Sequence, residues 1–280
     1  MQRILETHFR AILAEEGWAG ADDFHWSLGY CQSSAVAFFG RVDDPAALVR
    51  RLAPPDLAPA LSALFAGPEA RGSIHVDPRR HGPGIPFMSA NLDADGIFEP
   101  DDGDTAHQEI QKHLASEGIA RLERALQDDV KRIAKRMMDE GYALIEAMDP
   151  SWWSPLPTVE SRHEHHVVLR RIGLPTLRTE WRLLEPDFDS LDADEARWWA
   201  ETLAGGNRAC AVVCVLLDSN DEEIVFSSGY IVSLPAEGWR RNDALLDAMQ
   251  EAFAEIKPEG RARLRTEGMP QIAPSRLRAA

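Results

Sequence analysis

Long apolar runs are missing from this 280-residue chain. None approaches the roughly 20 consecutive apolar residues a membrane-spanning helix needs. The N-terminal run MQRILETHFRAILAEEG has charges inside its apolar pattern and no small-residue cleavage site. It does not read as a signal peptide, and the expected compartment is the cytoplasm. Cysteine is scarce: Cys31, Cys210 and Cys214 are an odd, sparse set that argues against a disulfide framework. Lysine is scarce too, at Lys112, Lys131, Lys135 and Lys257 alone, every other basic residue being arginine. With the many alanines, that usage points to a high-GC bacterial, phage or plasmid gene. Complete catalytic motifs are also missing. There is no G-x-S-x-G around Ser27, Ser33 or Ser34, no H-E-x-x-H, no G-x-G-x-x-G and no G-x-x-x-x-G-K-[ST]. Nucleophilic-elbow hydrolysis and P-loop or dinucleotide binding therefore have no sequence support.

What the chain does have is negative charge and enough apolar residues for one large core or two modest ones. Hydrophobic residues make up 44% and charged residues 27%, which excludes wholesale disorder. The net charge of −16 is uneven: residues 1–255 carry 24 basic against 44 acidic side chains, while residues 256–280 are net basic. An acidic body repels nucleic acid and favours basic partners. Direct nucleic-acid contact is expected only through the basic tail.

Periodicity divides the chain into alternating helical and extended segments. Leu5, Phe9 and Ile12 share a face of a helix over 2–16, capped by Gly17. FHWSLGYC and AVAFFGRV read as a hairpin over 23–42, and 45–66 as helix interrupted by Pro54, Pro55 and Pro59. RGSIHVD and PFMSANLD follow as strands. Thr105 and Gln108 suit a capping box opening one long helix to Met148, the longest element expected in the chain. Its buried stripe is Ile119, Leu122, Leu126, Val130, Ile133 and Met137, with bends expected at Gly118 or Gly141. After a Pro/Trp connector come HHVVLRRI and LRTEWRLL as strands. A helix over 192–204 follows, capped by Asp192 with Glu195 three residues on. ACAVVCVLL and EEIVFSSGYIVSL read as a hairpin around Asp218–Asp221, and a last helix over 240–256 is closed by Lys257-Pro258. Strands joined by hairpins with helices to one side indicate α+β: antiparallel sheets with packed helices, including one long central helix. The expected organisation is an N-terminal half 1–149, a connector 150–158, a C-terminal half 159–257 and a basic, flexible tail 258–280.

Three patterns carry candidate chemistry. His163, His165 and His166 could hold a divalent metal, with His75, His81 or Glu180 as a further ligand, and so support a metal-dependent enzyme. Asn91, Asp93, Asp95 and Gly96 match the start of a calcium loop, but Asp102 stands where the bidentate glutamate belongs. Trp152-Trp153 and Trp198-Trp199 are adjacent pairs, each expected to leave one ring partly exposed. Cys210 and Cys214, four apart on a strand, read as small buried hydrophobes.

The stretch Trp26-Ser27-Leu28-Gly29-Tyr30-Cys31-Gln32, followed by Val36-Ala37-Phe38 and Gly40, resembles a phage- and plasmid-borne family with a W-S-L-S-Y-S-Q-G-D-G-V-x-F-x-G hairpin. Its members are often labelled the antitoxin of a toxin–antitoxin stability system. A His-containing strand and a long helix also occur there, at the positions of residues 71–92 and 105–148. Ser33-Ser34-Ala35 stand here where that family has G-D-G. With the missing active-site motifs, the acidic body and the tryptophan pairs, the resemblance points to a non-catalytic phage or plasmid accessory protein that binds a protein partner, antitoxin-like or an inhibitor of a host factor. The expected partner face is Trp26, Tyr30, Gln32 and Phe38 with Asp101, Asp102 and Asp104; no cofactor and no membrane are expected. An acidic DNA mimic is the remaining alternative.

Overall fold

Alternating and helical periodicities resolve into two antiparallel sheets, each with its own helices, so the protein is α+β. The computed structural model describes residues 1–28, 35–63, 65–66, 72–79, 87–93, 105–149, 158–160, 165–174 and 177–266, for some of them the backbone alone. The chain folds as two compact units: Ile4–Tyr142, and Ala143–Ala280 with Met1–Arg3.

The N-terminal unit contains α1 (Gln2–Glu15), β1 (Asp23–Ser27), β2 (Ala35–Arg41), α2 (Pro45–Leu52), α3 (Ala58–Ala63), β3 (Ser73–Arg79), β4 (Phe87–Asp93) and most of α4 (Thr105–Met148). Its four strands pair in chain order as an antiparallel meander. Asp44 caps α2 by accepting from the Ala47 amide at 2.9 Å, and Pro45 occupies the first helical position, where its missing N–H costs nothing. Leu122, Leu126, Val130, Ile133 and Met137 of α4 are all fully buried, so the 3.6-residue stripe does face a core. The glycines of α4 mark close approaches. A Cβ on Gly141 would stand 2.6 Å from Leu28 Cδ1, and one on Gly118 would stand 2.8 Å from Leu57 Cδ1.

In the C-terminal unit β5 (Thr158–Glu160), β6 (His165–Leu174), β7 (Leu177–Leu184), β8 (Asn207–Asp218) and β10 (Tyr230–Pro235) form one sheet in the order β10-β8-β7-β6-β5. The stretch expected to be one long strand after Asp218 is two. β9 (Glu223–Phe226) and β10 both pair with β8, and Ser227-Ser228-Gly229 forms the step between them. Ser227 fills that step: its amide donates to the Cys214 carbonyl and its hydroxyl accepts from the Cys214 amide, both at 2.9 Å. α5 (Ala193–Ala204) has the reciprocal Asp192/Glu195 capping box its sequence announces. α6 (Asp243–Thr266) lays Leu245, Ala248, Ala252 and Ile256 on one face of the sheet, against Cys210, Val212, Cys214 and Leu216 of β8 and Trp181 and Leu183 of β7. The helix does not stop at Lys257-Pro258 as expected but runs through Pro258 to Thr266. Proline forfeits one helical hydrogen bond. Ile256 is buried just before it, and a Cβ on Gly260 beyond it would be only 3.8 Å from Leu216, so packing on β8 spans the lost bond. Among the described residues no helix is long and apolar enough to cross a membrane.

Candidate binding cleft

β8 alternates cleanly between the two faces of its sheet. Cys210, Val212, Cys214 and Leu216 turn towards α6, which leaves Ala211, Val213, Val215 and Leu217 on the opposite face. Burial raises both thiols, Cys214 to about 12 and Cys210 further, so both are inert core residues, as their spacing suggested. The opposite face holds a polar cluster beside the apolar floor of β8. Glu180 and Arg182 of β7 are two residues apart and so share that face. Glu180 is 1% exposed, and two arginines hold its carboxylate: Arg171 Nε donates to Oε2 at 2.6 Å and Arg182 Nε to Oε1 at 2.7 Å. Arg182 also donates to Glu223 of β9. Burial works to lower the Arg182 pKa, and its bonds to Glu223 and Glu180 outweigh that and raise it. A carboxylate this deep needs such partners, because desolvation of an unpaired charge costs several kcal/mol.

Next to this cluster lies a cleft of about 740 Å³. Ala211, Val213 and Val215 form its floor, and Leu184 and Ile231 its half-buried walls. Phe226, 67% exposed, stands at its lip, and Glu185, Asp187 and Glu223 bring carboxylates to its rim. Ser190, Ser227 and Ser228 add hydroxyls. The step between β9 and β10 builds one wall, since it places Ser227-Ser228-Gly229 across from Val213. Glu255 of α6 fixes that step from outside by accepting from the Ser228 amide at 2.9 Å and from its hydroxyl at 3.0 Å.

The predicted site residues do not gather here. Trp26 lies on β1, half-buried, opposite Val36. Phe38, expected on a partner face, is fully buried in the N-terminal core, with its ring 6.0 Å from that of Trp18. Val36, Ala37, Phe38 and Phe39 are buried in succession along β2, so both faces of this strand are covered and neither is left for a partner. Tyr30, Gln32, Asp101, Asp102 and Asp104 lie outside the described residues, as do His81, His163 and the Trp152-Trp153 pair. His165 pairs with Glu160 in the backbone register of β6 and β5, and its side chain is outside the description. His166 is 2% exposed, with Nε2 4.0 Å from Glu180 Oε1. The structure therefore brings His166 to the conceived ligand Glu180, but two guanidiniums already occupy that carboxylate and would repel a cation placed beside it. His75, the other conceived ligand, stands 3.1 Å from Asp77 on β3. Among the described residues no three His, Cys, Asp or Glu side chains group as a metal site. Asn91 and Asp93, read as the opening of a calcium loop, lie at the end of β4, where the Asn91 amide donates to Asp77 at 2.6 Å; Asp95, Gly96 and Asp102 lie outside the described residues. The tryptophan reading holds for Trp198-Trp199: Trp199 packs on Phe188 and Trp198 is 54% exposed.

Sequence reasoning missed the cleft, whose residues meet only through strand pairing. One signal was available: T-E-W-R-L puts Glu180 and Arg182 on one side of a strand that buries Trp181 and Leu183 on the other. No protein-family model matches the chain, and neither a curated protein nor a solved structure is significantly similar to it.

Proposed function

We propose that this protein works by binding a basic protein partner, as a phage or plasmid accessory protein that is antitoxin-like or restrains a host factor. The observation that carries this reading is the cleft: an apolar floor under an exposed phenylalanine, rimmed by carboxylates, is the anatomy of a binding surface with an anchor and a polar rim. The net charge of −16 supports it, because an acidic molecule draws in basic partners and speeds their encounter. So does the resemblance of the N-terminal hairpin to the antitoxin-labelled family. The polar cluster beside the cleft favours binding over chemistry, since Arg171 and Arg182 occupy both oxygens of Glu180.

The test is affinity capture from nuclease-treated bacterial lysate with the full chain as bait. The expected result is one basic protein at stoichiometric yield, released by high salt. Failure to enrich any protein, together with stoichiometric metal in untagged protein, would replace this reading with a histidine-centred metalloenzyme.

A further inference from the structure

We infer that the cleft on the face of the C-terminal sheet opposite α6 is a docking groove for a short cationic, amphipathic segment of the partner. A large aliphatic side chain fills the floor at Ala211 and Val213 beneath Phe226, and flanking lysines or arginines meet Glu185 and Asp187. This rests on the partner-binding reading above and names the chemistry of its occupant.

Size, shape and charge each narrow the occupant. At about 740 Å³ the cleft falls within the usual range for ligand pockets, roughly 300–1,000 Å³. It crosses β7, β8 and the β9–β10 edge rather than closing round a single point, which suits several consecutive side chains of a chain segment. Its floor is aliphatic, so the segment needs an apolar anchor. Its polar groups exclude an acidic segment. Arg182, the cationic residue of the lining, is already held by Glu180 and Glu223, while Glu185 and Asp187 are exposed at the rim. An incoming carboxylate would meet like charge, and an incoming ammonium or guanidinium would meet two carboxylates. Phe226 stands 67% exposed at the end of β9; over an anchor it would lose that exposure and add a cation–π surface for the flanking base.

The experiment titrates fluorescein-labelled Leu-Lys-Leu-Lys-Leu-Lys with the full chain at low ionic strength, read by anisotropy. Leu-Glu-Leu-Glu-Leu-Glu and Ser-Lys-Ser-Lys-Ser-Lys serve as controls. The expected result is saturable binding of the first peptide and at least about tenfold weaker binding of both controls. Phe226→Ala, and separately Glu185→Gln with Asp187→Asn, should each weaken binding about three- to tenfold. All three residues are exposed, so circular dichroism should stay unchanged, and Trp198→Ala, at another exposed aromatic, should bind as the parent does. Equal binding of the serine–lysine peptide would overturn the proposal, because charge alone would then explain it. So would indifference to both cleft variants. Concentration-dependent self-association lost in Phe226→Ala would also overturn it, by making a second copy the occupant. A partner captured from lysate but no peptide bound would place the interface elsewhere and leave the partner-binding reading standing. Peptide bound but no partner captured would do the reverse.

Discussion

Asp129 gathers donors from three side chains of the N-terminal unit: Trp18, Arg51 and Arg132. It sits on α4, 6% exposed, and accepts from Trp18 Nε1 at 2.8 Å, Arg51 Nη2 at 2.5 Å and Arg132 Nη2 at 2.8 Å. Arg132 continues to Glu16 as a two-bond fork at 2.6 and 3.1 Å. Arg136 links Glu16, Glu15 and Glu140, and His8 meets Glu140 at 2.8 Å. The network ties the end of α1, α2 and α4 together. Burial pushes the Asp129 carboxyl up, but bonds from Arg51, Trp18 and Arg132 outweigh it and hold the group below its ordinary 3.8. Bonds from Arg132 likewise hold Glu16 below its ordinary value. For Glu140 burial again opposes, and Arg136 and His8 prevail. Depressed carboxyl pKa values mean the unfolded chain binds more protons than the folded one as pH falls. The stabilisation is therefore complete above the ordinary carboxylate range and lost as pH drops through the lower folded values. Asp129→Asn should cost about 2 kcal/mol at neutral pH, because Arg51, Arg132 and Trp18 lose a charged acceptor. Denaturant melts at successive pH values should show parent and variant converging below pH ~4. A constant gap across that range would mean the aspartate acts by shape alone.

At the scale of elements, α4 closes a strand edge as well as burying a stripe. Gln127 behaves like one residue of a neighbouring strand: its carbonyl accepts from the Ala90 amide and its amide donates to the Met88 carbonyl, both at 3.1 Å. β4 is the last strand of its sheet, and an unpaired edge is a template for aggregation. Gln127→Ala should cost about 1–2 kcal/mol and raise light scattering on prolonged incubation, while Gln127→Glu should also lose the Met88 bond. Unchanged stability and scattering in the alanine variant would show the edge to be protected by other means. Much at this scale was legible in the sequence. The stripe from Leu122 to Met137, the Asp192/Glu195 box and the hairpin turn at Asp218–Asp221 depend on spacings of three, four or two residues, which local backbone geometry enforces. Two readings failed where long-range packing decides. Pro258 usually ends a helix, but Ile256 and Gly260 rest on β8 across the break. Phe38 sat in an apolar run beside the motif residues and looked available, but both faces of its strand are buried and its ring packs against Trp18. The cleft was not legible, because Arg182 and Phe226 come together only through β8, and nothing local in either segment records that pairing.

For the whole molecule, two kinds of electrostatics respond to salt to different degrees. The net charge of −16 is a repulsion spread over the surface, which ions screen at a Debye length of roughly 8–10 Å. The pairs that hold the fold at Asp129 and Glu180 are short and buried, so ions screen them much less. Exposed pairs such as Lys135–Asp139 contribute little at any salt. Moderate sodium chloride should therefore raise the thermal midpoint slightly, by about 2–4 °C for a chain of this size if roughly 1 kcal/mol of repulsion is relieved. A partner drawn by charge should meanwhile dissociate over the same range, since complementary rim charges lose their long-range attraction. Differential scanning calorimetry beside the capture experiment reads both effects on one salt series. A midpoint that rises while the partner leaves means that the acidic surface is maintained for association at some cost to stability. A midpoint that falls with salt would assign the fold a dependence on exposed ion pairs, and the excess negative charge would then need no partner to account for it.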